Sequence, residues 1–200
     1  MASSVTVRVA TYNVRKCIGL DWRRRPERIL SVLDEIGADV VALQEVDRRF
    51  GSRRTTLSAD VLREAGWHAA GVPIRPQSLG WHGNVVLARP TIAIEAVFPI
   101  ELPALEPRGA IATDLRVAGR RIRIVGMHLG LTSGPRARQV ATILAHLEAV
   151  AHLPTVLMGD TNEWRALAGC LDAFGTKHSL SPPVPTFHTS MPVAALDRIV

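Results

Sequence analysis

The sequence predicts an α/β sandwich, in which β-sheets are covered by helices. Three observations lead to this fold class. The length of 200 residues suits one domain, and 47% hydrophobic with 21% charged residues is an ordinary globular composition. Segments with the period of a strand also alternate with segments that have the period of a helix. No linker or repeat interrupts this alternation, so we expect one domain over residues 1–200.

The first half of the chain alternates between predicted strands and helices. Residues 5–14 alternate apolar and polar side chains, which predicts a strand. Pro26 opens a helix with apolar residues at helical spacing, and Gly37 ends it. The apolar run 38–43 suits a strand buried on both faces, and residues 58–65 resemble a short helix. Further strands are predicted over residues 67–72, 84–88 and 91–98.

The second half begins with a predicted hairpin over residues 110–117 and 120–127. A helix follows from about Pro135, because Val140 and Ile143 begin an apolar face at helical spacing. We then predict a strand over residues 155–158, a helix over 163–174, a proline-rich loop over 181–192 and the start of a strand over 196–200.

Polar side chains stand where the predicted strands end. Strand ends that gather at one edge of a sheet are where α/β proteins place their sites. Carboxylate oxygen suits Mg²⁺, which needs only one or two protein carboxylates, while imidazole and arginine stabilise charge on a phosphate. Together these groups match a divalent-metal site for phosphoryl transfer. The residues are Asn13, Glu45, His128, Asp160, Asn162 and Asp197.

Each of these residues also has a purely structural interpretation. Asn13 can satisfy the backbone of a turn. Glu45 can be an exposed strand end, although a buried carboxylate costs several kcal/mol unless it is paired or bound to metal. Asp160 and Asn162 suit a turn followed by a helix cap. The remaining alternatives are a surface ion pair of Asp197 with Arg198 and a structural role for His128.

The charge distribution indicates an anionic ligand. The formal net charge is +6, and only Lys16 and Lys177 are lysines, so the positive charge is almost entirely arginine. Clusters of this kind attract anions, phosphate esters foremost, although a solvated basic face is the simpler interpretation. The clusters lie within residues 15–28, 48–54 and 116–138.

Other features of the sequence narrow the class of protein. No apolar run is long enough for a membrane span, and the first residues lack the pattern of a signal peptide. Cys17 and Cys170 match no zinc or redox spacing, so we predict a reduced, cytoplasmic protein. Four Trp, four Phe and one Tyr form no aromatic stripe, so base stacking is not predicted as a main source of affinity. The sequence indicates no oligomeric state.

From residue 5 to residue 200 the chain resembles the endonuclease/exonuclease/phosphatase superfamily. That group includes deoxyribonuclease-like nucleases, abasic-site endonucleases, neutral sphingomyelinases and inositol polyphosphate phosphatases. The resemblance implies a four-layer α/β/β/α sandwich of two packed mixed sheets flanked by helices. The matching blocks are TYNV (11–14), LQEV (43–46), HGN (82–84), HL (128–129), GDTN (159–162) and LDRI (196–199).

The resemblance also implies the chemistry. The expected reaction is hydrolysis of a phosphate ester by in-line attack of water, with Mg²⁺ as cofactor and Mn²⁺ as an alternative. The substrate is left open: the arginine clusters favour DNA or RNA, and a lipid headgroup or a small phosphate ester are the alternatives. Glu45 matches the principal metal ligand, and Asn13 helps to hold the metal or phosphate. Asp160 is expected to orient or deprotonate water, and Asn162 to bind the scissile phosphate.

Further roles carried over from the family concern the rest of the cleft. His128 matches a histidine that stabilises the phosphate or assists the leaving group. Abasic-site endonucleases carry tyrosine at that position, and the single tyrosine here is Tyr12, which argues against that specialisation. Asn84 and Arg108 fall where family members line the cleft and bind substrate. Asp197 is expected to orient the general base.

The family pattern continues with a further strand and a Ser-Asp-His block that this sequence does not contain. We therefore expect the final strand and its histidine to be missing, with a rate loss of about 10²–10⁴-fold. His188 is the one candidate replacement. Three interpretations follow: an impaired hydrolase, a non-catalytic protein that binds phosphate or nucleic acid, and a fragment without function.

Overall fold

Two mixed β-sheets form the centre of the computed structural model, which describes residues 5–104, 106–165, 168–175 and 178–200. The four-stranded sheet contains β1 (Val9–Asn13), β2 (Val40–Gln44), β3 (His68–Ala70) and β4 (Val85–Ala88), in the order β1-β2-β4-β3. The five-stranded sheet contains β5 (Ala93–Glu101), β6 (Gly109–Val117), β7 (Arg120–His128), β8 (Thr155–Asp160) and β9 (Asp197–Ile199) in sequential order. The pairs β1–β2 and β7–β8 are parallel, and the other pairs are antiparallel.

In the described part of the chain, three α-helices cover the sheets: α1 (Pro26–Ile36), α2 (Ala59–Glu64) and α3 (Ser133–Ala149). Pro26 stands in the first turn of α1, and Gly37 ends that helix in the left-handed conformation at φ 60°. The Ser58 hydroxyl caps α2 by accepting a hydrogen bond from the Val61 N–H. No helix within the described ranges is long and apolar enough to cross a membrane.

Alternating residues of the strands separate the core into layers. On β2, Val41 and Leu43 pack with the α1 residues Ile29 and Leu33, on the outer face of the first sheet. The alternate residues Val40 and Ala42 belong to a second apolar cluster, which also contains residues of the other sheet.

The second sheet is arranged in the same way. Ile124 of β7 joins the cluster between the sheets, whereas Val125 packs outward with the α3 residues Val140 and Ile143. Three buried clusters therefore separate four layers, helix, sheet, sheet and helix. The α/β/β/α sandwich expected from the sequence is confirmed.

The helix predicted over residues 163–174 is wrong. Apart from two residues that the structure does not describe, this segment contains only a 3₁₀ turn at Gly169–Ala173. The Glu163 carboxylate points inward, pairs with Arg136 at 3.0 Å and accepts two backbone N–H groups of its own segment. Gly169 has φ 76°, which a regular helix does not contain. The loop predicted over residues 181–192 contains no helix or strand, as expected.

A buried ion pair between neighbouring strands provides a stability prediction. Asp114 on β6 receives both Nε, at 2.6 Å, and Nη2, at 2.9 Å, of Arg123 on β7. Asp114→Ala leaves that guanidinium buried without its partner, so the free energy of unfolding should fall by about 3–5 kcal/mol in urea denaturation. The matched control is Asp60→Ala in the exposed pair with Arg63, where less than about 1 kcal/mol is expected. Equal losses in the two variants would contradict this account.

Candidate active site

The ends of five strands meet at one edge of the sandwich. In the parallel pair β7–β8, His128 lies opposite Asp160, and in the antiparallel pair β8–β9, Asp160 lies opposite Asp197. The first sheet contributes Asn13 at the end of β1 and Glu45 directly after β2. A hydrogen bond of 3.0 Å from Asn13 Nδ2 to Asp160 Oδ2 joins the two sheets at this edge. Polar groups 147 residues apart in sequence are therefore in contact.

Asn13 bridges two carboxylates. Its Nδ2 also lies 3.5 Å from Glu45 Oε1, while its Oδ1 accepts a hydrogen bond from the Arg15 N–H at 3.0 Å. The turn role foreseen for this residue is therefore present together with its place in the site. Its predicted contact with a metal or phosphate stays a prediction.

A lysine that the sequence analysis did not select completes this part of the site. The Lys16 ammonium contacts the Glu45 carboxylate, and the Lys16 N–H donates to the Glu45 carbonyl at 2.9 Å. Burial favours a raised pKa for Glu45, but the hydrogen bond and charge of Lys16 outweigh it, so the net effect is a lowered pKa. Glu45 is ionised as a result, and its carboxylate is already paired with the Lys16 ammonium.

The backbone is unusual at the same positions. Glu45 has φ 57° and Lys16 has φ 56°, and Asn162 after β8 has φ 50°. All three are in the left-handed region, which residues with a Cβ rarely adopt and which is concentrated at functional sites. The Glu45 and Asn162 turns follow the ends of β2 and β8, so each side chain leaves its strand at the site edge.

His128 is buried beside Arg108. The Arg108 guanidinium contacts the His128 ring, and its Nη2 lies 3.2 Å from Glu106 Oε2. His128 Nε2 is also 3.6 Å from Asp160 Oδ2. Burial lowers the pKa of His128 to about 4, with Asp160 acting in the opposite direction and Arg108 adding to the decrease. The ring is therefore neutral near pH 7.

The other two carboxylates behave differently from Glu45. Burial raises the pKa of Asp160, and the neighbouring charge of Asp197 adds to that rise. Burial also raises the pKa of Asp197, whose Oδ2 accepts the Thr186 hydroxyl at 2.5 Å and whose Oδ1 is buried with no hydrogen bond from any described residue. Asp197 makes no side-chain pair with Arg198, which donates only to its backbone carbonyl.

The segment after β8 forms a turn rather than a helix cap. Asp160 Oδ1 accepts the Asn162 N–H at 2.9 Å, which closes the turn. The Asn162 side-chain amide donates to the Leu129 carbonyl at 2.9 Å and ties this turn to the end of β7. Described residues 163–165 and 168 are not helical, so Asp160 and Asn162 do not cap a helix there.

Asn84 and Arg108, the predicted substrate contacts, occupy different environments. Arg108 lines the cleft at this edge. Asn84 is fully buried, and its amide donates to the carbonyls of Trp81 and Gly109 at 3.0 and 3.1 Å. In this structure Asn84 thus holds the loop before β4 against the start of β6.

The cleft beside Glu45 and His128 is lined by one of the basic clusters of the sequence. Its arginines are joined by His82, which lies 3.4 Å from Arg53 and whose pKa is lowered by burial and by that arginine. His82 belongs to the HGN block and Lys16 to the basic cluster 15–28, but the sequence did not mark either as a site residue, because their partners are distant in the chain. The basic residues of the lining are Lys16, Arg48, Arg49, Arg53 and Arg108.

The donor groups fit a hard divalent cation. Among the described residues no three His, Cys, Asp or Glu side chains form a metal-binding cluster. Mg²⁺ needs fewer, since it keeps several waters and binds through one or two carboxylates. Glu45 offers one such carboxylate with the Asn13 side chain beside it, and the Lys16 ammonium in contact with Glu45 shows that this carboxylate attracts positive charge.

Comparison with known proteins identifies the class. Residues 10–200 match the Endonuclease/Exonuclease/phosphatase family, so the chain belongs to that family, as the sequence blocks predict. No curated protein matches the chain.

Solved structures with the same fold extend this result. The human nocturnin catalytic domain with bound sulfate is 22% identical, with a TM-score of 0.73 over 96% of this chain and 80% of that chain. TDP2 of D. rerio in complex with a single-strand DNA product is 17% identical, with a TM-score of 0.71 over 96% and 82%. The mannosyl-6-phosphatase Bt3783 of Bacteroides thetaiotaomicron is 17% identical, with a TM-score of 0.72 over 97% and 84%. At these identities the likeness establishes the fold.

The lowered pKa of His128 predicts a pH dependence of stability. Between about pH 6.5 and 4 the unfolded chain binds a proton that the folded ring does not, so stability falls as the pH falls through this window. This group contributes up to about 3 kcal/mol of the loss. In urea denaturation with EDTA at pH 7.0 and 5.0, His128→Gln should lose less stability on acidification than the unsubstituted protein. The exposed control His152→Gln should follow the unsubstituted protein. Parallel pH profiles for all three proteins would contradict a neutral, buried His128.

Proposed function

We propose that the protein is a metal-dependent hydrolase of phosphate esters, with Mg²⁺ as cofactor and Mn²⁺ as an alternative. The observation that carries the proposal is the contact network at the site edge. The Asn13 amide links the Glu45 and Asp160 carboxylates, and His128 and Arg108 lie beside Asp160 and the cleft. Carboxylates for a cation next to fixed positive charge are what hydrolysis at phosphorus requires.

Family membership supports the same reaction class. Endonucleases, exonucleases and phosphatases all cleave phosphate esters, and the family is named for them. The D. rerio structure contains a DNA product and the Bacteroides enzyme is named for a phosphorylated sugar, so the fold serves both large and small esters. We propose a phosphate ester as the substrate here, with DNA or RNA favoured by the arginines of the cleft.

The mechanism assigns a role to each group. Glu45, with Asn13, would hold the metal ion, which when bound polarises a phosphoryl oxygen. Asp160 is the general base in our proposal, because its carboxylate lies at the site edge between Asn13 and His128 and burial raises its pKa. The Asp160 carboxylate orients the attacking water and accepts its proton.

The remaining groups act on the phosphate. Arg108 supplies positive charge to the non-bridging oxygens, and neutral His128 donates a hydrogen bond to the phosphate or to the leaving oxygen. Asn162 is proposed to bind the scissile phosphate from the turn after β8. Asp197 is a positioning residue, since it is held by Thr186 and lies beside Asp160.

A non-catalytic binder is the second candidate, and one observation favours it. The Lys16 ammonium lies on the Glu45 carboxylate and the Arg108 guanidinium lies on the His128 ring, so two groups needed for turnover already have partners. Such a protein would bind phosphate or nucleic acid with a steep salt dependence and no turnover.

We also propose a cytoplasmic location. Cys17 and Cys170 are both free and buried, which supports it.

The two proposed substrate-binding residues would act in different ways. Asn84 would act indirectly, through the loop that it holds, whereas Arg108 would contact the substrate directly.

Hydrolysis assays test the proposed function. Bis-p-nitrophenyl phosphate and plasmid DNA are incubated with the protein in Mg²⁺, in Mn²⁺ and in EDTA. We expect metal-dependent turnover that Glu45→Gln lowers by about 10²-fold or more, because a neutral amide lacks the charge with which a carboxylate binds Mg²⁺. Circular dichroism verifies the fold of the variant, and Glu64→Gln on the exposed face of α2 is the matched control. A folded protein without turnover in either metal would favour the binder.

The Lys16 contact predicts the effect of a substitution on metal affinity. A cation tethered to Glu45 competes with a divalent ion for the same carboxylate, so Lys16→Met should tighten Mn²⁺ binding severalfold, roughly the 0.2–1 kcal/mol of a partly exposed ion pair. Isothermal titration with MnCl₂ measures this without any assay of turnover. Lys16→Arg keeps the charge and should resemble the unsubstituted protein. Unchanged or weaker Mn²⁺ binding in Lys16→Met would show that Lys16 and the ion do not compete.

A further inference from the structure

Exposed aromatic side chains are concentrated on the loops that surround the site. Trp22 is 79% exposed, Phe50 83%, Trp164 62% and Phe187 41%, whereas Trp67 and Phe174 are buried. Large apolar side chains that stand in water on one edge of a protein indicate an interaction surface. We refer to Trp22, Phe50, Trp164 and Phe187 as the aromatic rim.

Two members of the aromatic rim flank the strands of the first sheet. Trp22 follows β1, and the Arg15 guanidinium carbon lies 5.5 Å from the centre of its ring. Arg15 is next to Lys16, the residue in contact with Glu45. Phe50 follows β2 within the segment whose arginines line the cleft, directly after Arg49.

The other two members flank the strands of the second sheet. Trp164 lies two residues after Asn162, and its ring meets that of Phe187 edge to face with 5.8 Å between the ring centres. Phe187 directly follows Thr186, whose hydroxyl binds the Asp197 carboxylate. The rim therefore flanks both sheets of the site, and each member is linked to it through neighbouring residues.

Charge distinguishes between two occupants of this surface. A membrane surface would press the rim into lipid, and the sequence neighbours of Trp22 and Phe50 are exposed arginines and an aspartate. Arginines at the rim itself suit anionic headgroups as well as a chain of phosphates. They continue into the cleft as Arg48, Arg49 and Arg53, which a chain of phosphates can follow and a bilayer surface cannot enter. Aromatic rings interleaved with arginines suit a different ligand, a chain of phosphates that also carries flat rings. The flat rings of such a ligand are nucleobases, and they can stack on the rim only when they are not base-paired. Double-stranded nucleic acid is therefore excluded as the ligand.

We propose that the aromatic rim binds single-stranded nucleic acid, with bases stacked on Trp22 and Trp164 while the backbone follows the arginines to the site. The proposal rests on the proposed function for the location of the scissile phosphate. It revises the expectation that base stacking is not a main source of affinity, since the four rings are scattered in sequence and each lies on a loop next to a strand of the site.

Binding without turnover tests the proposal. In EDTA, fluorescence anisotropy compares a labelled dT₁₂ strand with a strand of twelve abasic residues, which has the same phosphates and no bases. We expect dT₁₂ to bind at least tenfold more tightly than the abasic strand, and more tightly than a twelve-base-pair duplex. Trp22→Ala and Trp164→Ala should each weaken dT₁₂ binding roughly tenfold and leave the abasic strand unchanged.

Controls separate stacking from structure. Trp22→Phe keeps a ring and should restore most of the affinity lost in Trp22→Ala. Phe98→Ala removes an exposed ring from β5, remote from the rim in sequence, and should bind dT₁₂ as the unsubstituted protein does. The comparison of dT₁₂ with the abasic strand uses the unsubstituted protein, so it holds even where a variant does not fold.

Several results would overturn the proposal. Equal affinity for dT₁₂ and the abasic strand would reduce the interaction to phosphate contacts. Vesicles of phosphatidylcholine and phosphatidylserine that lose binding in Trp22→Ala and Trp164→Ala, with unchanged dT₁₂ affinity, would assign the rim to a membrane surface. Hydrolysis of bis-p-nitrophenyl phosphate by the unsubstituted protein is scored separately. Base-dependent binding without that hydrolysis refutes only the proposed function, and hydrolysis with base-independent binding refutes only the inference.

Discussion

The close approach of the two sheets is the constraint on which the site depends. Gly126 faces the first sheet at a point where an added Cβ would lie 3.2 Å from Ala42 Cβ and 3.4 Å from Val86 Cγ2. Small residues at this crossing let the strands meet closely, and Asn13 then reaches Asp160 across the gap between the sheets. A wider separation would leave Glu45 with Lys16 on one side and Asp160 with His128 on the other, without the Asn13 amide that links the two carboxylates.

The same geometry gives chemically similar groups opposite electrostatic behaviour. The pKa of Glu45 is lowered because a lysine faces it, and the pKa of Asp160 is raised because it is buried next to another acid. In the proposed mechanism, the first carboxylate stays charged to hold a cation and the second accepts a proton. Neighbouring titratable groups whose pKa values move apart in this way divide acid, base and binding roles between them.

Local periodicity predicted most of the fold. The features that it did not predict depend on contacts between residues that are distant in the sequence. The strands were recognisable because apolar residues recur at spacings set by the backbone, and Pro26 and Gly37 mark α1 by their own dihedral preferences. The helix predicted after β8 failed because Glu163 is turned inward toward Arg136, 27 residues earlier, and no local pattern reports such an ion pair. Lys16 was missed for the same reason, since its carboxylate partner is 29 residues away. Strand-end polarity did identify the groups that meet at the site edge.

The left-handed turn at Glu45 implies a conflict between stability and activity at this position. An acidic residue at φ 57° costs on the order of 1–3 kcal/mol that glycine would not. Selection for thermal robustness alone would therefore favour loss of the carboxylate, and the carboxylate is retained only where its chemistry outweighs that cost. In a library screened for folding and not for function, glycine should accumulate at position 45, so the identity of this residue across variants would report whether activity was under selection.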